Sequence, residues 1–291
     1  MRQRSLVFDG GVRIVDTPFV KIEQGSILAK TVYVYIGQLE ESILNNTLPL
    51  PGRVVLGSTG VVKAIESIGV EGFVGSYLIV SPISRHNVLA YNADGLLTSY
   101  TAIKPEYILE EHLEANPFMA IKPLVAHGVE LGSEAGGVVV VSGCGVTALS
   151  SALTVLREGL GEPILYCEGY SKPALQLGLN TVKHVSNLPE RVDVLVLTEP
   201  GVSVNYKLLK LLHPRRIVVS PLSFTAWIPV DPGVEKIEVV YKDRVRVVKP
   251  QLTEVLVREI ARNIRVVKID DVEKAIGLLP PRGLGFIVSL E

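Results

Sequence analysis

The stretch Gly137-Val-Val-Val-Val-Ser142, closed by Gly143-Cys144-Gly145 and continued as Val146-Thr147-Ala-Leu-Ser-Ser-Ala-Leu-Thr-Val-Leu-Arg157, permits few backbone solutions. An unbroken β-branched run suits a buried strand, the glycines let the backbone turn at once, and the apolar residues that follow recur at helical spacing. Strand, tight turn and helix in that order aim backbone N–H groups and a helix N-terminus at one point. That is a seat for a pyrophosphate.

The G-x-G-x-x-A spacing alone is weak, because glycines also end strands for purely structural reasons, so the surrounding unit decides. A second apolar strand at 163–167 runs into Glu168, 23 residues after Gly145. An acid at about that offset accepts hydrogen bonds from the adenosine ribose and repels a 2′-phosphate, which favours NAD over NADP. The plain alternative for Glu168 is a solvated carboxylate at a strand end. The expected cofactor contacts are therefore Gly143, Cys144, Gly145, Val146, Thr147 and Glu168. Cys144 is read as a small residue fitting a crowded turn, although a helix N-terminus would also make its thiol more reactive. Further strands at 192–197, 216–220 and 236–240, with a helical stretch at 204–212, predict a doubly wound parallel sheet of the α/β class.

Residues 1–115 have a different texture. Short alternating segments at 31–36, 53–56, 60–65 and 75–80, separated by Gly and Pro, mark an all-β unit. With 291 residues, 47% of them apolar and 20% charged, the chain can bury two cores. A helix at 252–263 and a strand at 285–290 close it. The division expected is 1–117 with 258–291 as the β-rich domain and 118–257 as the nucleotide domain. A net charge of −1 offers no general attraction to nucleic acid or anionic membrane. No run approaches the ~20 apolar residues of a membrane span and the N-terminus lacks an apolar signal core, so a cytoplasmic protein is expected. Two cysteines, Cys144 and Cys167, are too few for a disulfide framework or a four-thiolate zinc site.

In this order the segments resemble the medium-chain dehydrogenase/reductase superfamily, of the alcohol dehydrogenase type with a GroES-like catalytic domain. Leu56-Gly57-Ser58-Thr59-Gly60-Val61-Val62 is similar to its G-H-E-x-x-G-x-V segment, Asp94-Gly95 to Tyr100 to its D-G-x-x-A-E-Y loop, and Met119-Ala-Ile-Lys122-Pro123 to the helix carrying E-P. The resemblance covers nearly the whole chain. It implies a Rossmann domain, a nicotinamide cofactor, hydride transfer to or from a small alcohol, aldehyde or ketone, and a homodimer joined through an edge strand at 236–240, with 245–248 competing for that role.

The departures concern the metal. An open zinc site needs three protein ligands. The first falls here near Gly37-Gln38-Leu39, Ser58-Thr59 replaces the His-Glu pair, and Lys122 stands where an acid precedes proline. No zinc is expected. A positive charge or donor must then meet the developing alkoxide. Lys122 is the sharp candidate and a surface lysine at a helix start the plain one. Ser58 and Thr59 could relay a proton or simply make a turn. Tyr35, Tyr77, Tyr91 and Tyr100 could supply an acid but suit strand packing. His127 reads as half-buried helix packing, and the segment 223–227 as a pocket wall, an exposed loop or a dimer contact. Two other classes fit the same residues: a non-catalytic NAD-binding sensor or scaffold, and a zinc-free reductase of the quinone or enoyl type.

Overall fold

In this computed structural model, which describes residues 2–85, 87–223 and 238–290, the chain divides into two units, Met1–Leu124 with Ile264–Glu291 and Val125–Asn263. The first begins with a hairpin absent from the sequence reading, β1 (Arg2–Phe8) and β2 (Val12–Pro18), which turns at Asp9-Gly10-Gly11. β3 (Ser26–Ile36) is buried along its whole length except at Lys30, so its sequence is nearly continuous in apolar residues where a half-exposed strand would alternate. A short helix α1 (Gln38–Leu44) leads to β4 (Val54–Val55), β5 (Thr59–Ile68) and β6 (Tyr77–Val80). A two-strand ribbon follows, β7 (Ile83–Ser84) with β8 (Asn87–Val88), then β9 (Tyr100–Ile103) and β10 (Ile108–His112). The Asp94-Gly95 loop docks on the β4–β5 turn. Asp94 Oδ1 accepts from Val55 N at 2.9 Å, and Leu96 N and Leu97 N donate to Gly57 O and Leu56 O, each at 2.8 Å.

α2 (Lys122–Ser133) leads into the second unit, where strands and helices alternate: β11 (Gly137–Ser142), α3 (Val146–Arg157), β12 (Gly161–Tyr166), α4 (Lys172–Gln176), β13 (Asn180–Val182), β14 (Arg191–Leu197), α5 (Val202–Leu211), β15 (His213–Val219), β16 (Glu238–Tyr241) and α6 (Pro250–Ala261). The sheet is wholly parallel and runs β13-β12-β11-β14-β15-β16. Numbered within the unit this is 3-2-1-4-5-6, the doubly wound order in which successive strands reverse direction of growth between the first and the fourth. Val140, Leu195, Leu197, Leu208 and Ile217 pack into a core against it. The run at 245–248, which looked like a competing strand, forms none, and among the described residues β16 is the last strand of the order.

The chain returns to the first unit through β17 (Arg265–Lys268), a 3-10 turn at Val272–Leu278 capped by the Asp271 carboxylate, and β18 (Phe286–Ser289). These complete a seven-stranded sheet of order β10-β6-β5-β3-β18-β17, with β9 on β3, antiparallel except between β17 and β18. The cuts fall after Leu124 and Asn263. α6 thus stays whole in the second unit, where a boundary at 257/258 would split it. Its fully buried Leu256 and Ile260 explain why.

Candidate functional site

In a doubly wound sheet, ligands bind beyond the carboxyl ends of the strands where the order reverses, here between β11 and β14. Ser142, the last residue of β11 and fully buried, closes that edge: its Oγ accepts from Thr198 N at 2.9 Å and Glu199 N at 3.1 Å, and the Thr198 hydroxyl donates back to Ser142 O. Gly143 then turns with φ 90°, a conformation that favours glycine, and donates its N–H to Tyr166 O at 2.9 Å. Gly145 is the N-cap of α3, and no side chain caps that helix. The N–H groups of Val146 and Thr147 in its first turn are thereby left to an anion, which the helix dipole also favours. The loop fits the pyrophosphate of a dinucleotide.

Glu168 follows β12, but it is not simply solvated. Its Oε1 accepts from the Tyr166 hydroxyl and from Lys207 Nζ on α5, each at 2.8 Å, and the Lys207 bond holds its carboxyl below the usual range. The reading of Cys144 as an isolated small residue is corrected. Cys144 and Cys167 form a disulfide with their Cα atoms 5.5 Å apart, because the glycine turn folds the end of β11 back beside the end of β12. Two cysteines 23 residues apart in sequence gave no framework signal, and adjacency in the parallel ladder is what joins them.

In the first unit the structure adds a residue that sequence reasoning missed, Glu40, which is fully buried in α1. Its Oε2 accepts from Gly37 N and its Oε1 from Ser58 N, both at 2.9 Å, and the Ser58 hydroxyl also bonds to it. Burial still pushes its carboxyl above the ordinary range, against those donors. The sequence signal was an acid at the third position of a helix opened by Gly37, half of a capping box. Tyr35 from β3 lies over Gly37, so closely that a Cβ there would meet its ring, and donates its hydroxyl to Leu284 O. Burial and the Glu40 charge push its phenol far above the usual range. Thr59 is fully buried, and its hydroxyl is shared between Val80 O at 2.8 Å and Ala120 O at 3.1 Å.

Lys122 is not a solvated surface lysine. Its side chain is 10% exposed and its Nζ donates to Glu110 Oε2 on β10 at 2.6 Å, where His112 Nε2 also lies 2.9 Å away. Zinc does not suit this donor set. The space for a ligand at position 37 is filled by Tyr35, the Thr59 hydroxyl is committed to carbonyls, and Lys122 brings a cation.

His127 on α2 is fully buried rather than half-buried. Its Nε2 lies 2.8 Å from Ser220 Oγ just past β15, its Nδ1 meets no partner among the described residues, and burial lowers its pKa from 6.5 to about 3. Of the other tyrosines, Tyr100 meets Phe19 with ring centroids 5.3 Å apart, and Lys63 Nζ sits 5.4 Å over the ring of Tyr77. Of the segment 223–227 only Ser223 is described, and its hydroxyl donates to Ser220 O at 2.6 Å; Trp227 lies outside the described residues, as does His86. Among the described residues no group of three or more His, Cys, Asp or Glu side chains is placed to hold a metal ion, and no helix is long and apolar enough to cross a membrane.

No protein-family model matches the chain, and no curated protein matches its sequence. Its fold is that of the alcohol-dehydrogenase-like oxidoreductases. A short chain alcohol dehydrogenase from E. coli CFT073, complexed with NADH, aligns with TM-score 0.69 at 16% identity over 99% of both chains. An acetophenone reductase from Geotrichum candidum NBRC 4597, in complex with NAD, aligns with TM-score 0.68 at 15% identity over 99% of this chain and 97% of that one. The 2R,3R-butanediol dehydrogenase of Bacillus subtilis aligns with TM-score 0.64 at 16% identity over 99% of both.

Proposed function

We propose that the chain is a zinc-independent, NAD(H)-dependent oxidoreductase of the medium-chain type, acting on a small alcohol, aldehyde or ketone in the cytoplasm. The carrying observation is the uncapped glycine turn at the reversal point of a 3-2-1-4-5-6 sheet, with Glu168 two residues past the neighbouring strand β12. The cofactor supplies or takes up hydride when bound. Gly143, Cys144, Gly145, Val146 and Thr147 hold its pyrophosphate through backbone N–H groups, and Glu168 accepts from the ribose hydroxyls. Because Lys207 already shares the Glu168 carboxylate, the preference for NAD(H) depends on that carboxylate keeping Lys207 from a 2′-phosphate.

On the substrate side, Lys122 supplies positive charge to the developing alkoxide while Glu110 holds its ammonium in place. Ser58, braced by the buried Glu40, and Thr59 complete the polar wall where relatives with zinc would place ligands. One observation favours a second reading, a non-catalytic NAD-binding protein: the Lys122 ammonium and the Thr59 hydroxyl are both engaged by the protein itself. A reductase delivering hydride to a conjugated carbon would also need no metal.

Calorimetry with NADH and NADPH tests the cofactor. NADH is expected to bind more tightly, and Glu168→Ala to erase that preference by freeing Lys207. Equal binding by the native chain removes the role of Glu168, and no binding of either cofactor removes the whole reading. Lys122→Met separates enzyme from relic. Turnover of a carbonyl substrate is expected to fall about 10²-fold or more with NADH affinity nearly unchanged, while Lys122→Arg retains part of the rate. Unchanged turnover in Lys122→Met refutes its role at the alkoxide.

A further inference from the structure

Nothing in the oxidoreductase reading requires the Cys144–Cys167 bond, yet it lies across the cofactor seat. Cys144 stands between Gly143 and Gly145, in the turn that presents the α3 amides, and Cys167 immediately precedes Glu168. The two expected contacts with a dinucleotide, at the pyrophosphate and at the ribose, therefore hang on opposite ends of one covalent link. We propose that this pair is a thiol–disulfide exchange site that sets the affinity of the dinucleotide site, tight when oxidised and weak when reduced. The proposal rests on the cofactor reading above.

The two cysteines are unequally exposed. Cys144 is half-buried, whereas Cys167 is 2% exposed and its Sγ lies 3.7 Å from Gly143 O. A small dithiol therefore attacks Sγ of Cys144. The Sγ–Sγ bond breaks, and Cys167 leaves as a thiolate and takes up a proton. The second thiol of the reagent then closes on the mixed disulfide and releases Cys144, whose thiolate is favoured by the N-terminus of α3. Two electrons and two protons pass from the dithiol to the protein, and the reagent ends as a cyclic disulfide. The reverse reaction uses a low-molecular-weight disulfide as oxidant.

The coupling to the cofactor is entropic. With the bond formed, a turn of two glycines around Cys144 is pinned to the end of β12. With the bond open, its backbone must be ordered when the pyrophosphate arrives, and glycine loses more freedom on ordering than any other residue. Ordering one residue's backbone costs enough for a change of about tenfold in affinity. By linkage, bound cofactor protects the disulfide from reduction by the same factor.

The test titrates NADH into the full chain after treatment with a small-molecule disulfide or with a dithiol, each state checked by the mass shift on thiol alkylation. NADH is expected to bind about tenfold more tightly to the oxidised chain. The Cys144→Ser/Cys167→Ser double variant, and Cys167→Ser alone, are expected to bind like the reduced chain under both conditions. Equal affinity in the two states of the native chain overturns the proposal and leaves the cofactor reading standing. So does a mass shift showing two free thiols after oxidant treatment. Absence of NADH binding in both states overturns the cofactor reading and this proposal together.

Discussion

Taking His127 out of water penalises its charged form, and the Lys242 charge adds to that, so the imidazole stays neutral down to about pH 3. In the unfolded chain the same group protonates near its ordinary 6.5. Below that pH the unfolded state binds a proton that the native state refuses, so the stability present above 6.5 is progressively lost as the pH falls toward 3. At about 1.4 kcal/mol per pH unit, the loss at pH 5 is about 2 kcal/mol. Urea denaturation at pH 7 and pH 5 checks this: His127→Gln should shrink the difference between the two midpoints. An unchanged difference would show that other groups carry it. At this scale the sequence offered His127 only as a helix residue, since burial of a single imidazole depends on what α2 packs against. Glu40 was hidden for the same reason: its role comes from Ser58, which is near it in space and 18 positions away in sequence.

The glycines of α2 belong to the scale of elements. Gly128 and Gly132, one turn apart, let the helix meet α3 backbone to backbone: a Cβ on Gly132 would lie 2.5 Å from Ser151 O and 2.9 Å from Thr154 Cβ. The small residues Thr147, Ser150, Ser151 and Thr154 form the facing stripe and are all buried. Gly132→Val is therefore expected to lower stability by about 1–3 kcal/mol, read as a lower urea midpoint. Gly136→Ala, whose Cβ would meet only Leu160 O at 3.5 Å, should leave that midpoint nearly unchanged. Equal shifts would show that the close approach is not what α2 requires. The β11-turn-α3 unit was readable from sequence because its signals are local: β-branched residues, glycines and helical spacing within 21 residues. The β1–β2 hairpin carried a comparable Asp-Gly-Gly signal that its charged, alternating flanks obscured.

For the whole molecule, among the described residues the parallel sheet ends at β16, which pairs there with β15 and whose Val239 and Tyr241 are 46% and 54% exposed. Arg216 and Lys242 both bond Glu134, just past the end of α2, and Arg216 also pairs with Glu238, so this edge is held to the unit by charge. A sheet edge is a template for another strand, and two-fold pairing of β16 with its own copy would extend the sheet. We propose a homodimer through β16. Light scattering should give twice the chain mass, and Val239→Asp should shift the population to monomer. A native monomer at every concentration would remove the proposal.

Residues 137–168 alone determined the strand-turn-helix-strand unit and its parallel class, because strand period, glycine turns and helical spacing are properties of contiguous residues. The alternating segments before residue 115 likewise declared a β-rich partner unit. Tertiary structure decided the rest: that Cys144 meets Cys167, that Lys207 shares Glu168, that Glu110 claims Lys122, and that Tyr35 closes the space over Gly37. Each of these joins groups on different strands or helices. Such a meeting depends on ladder register and helix docking, which many distributed contacts set together and no local pattern encodes.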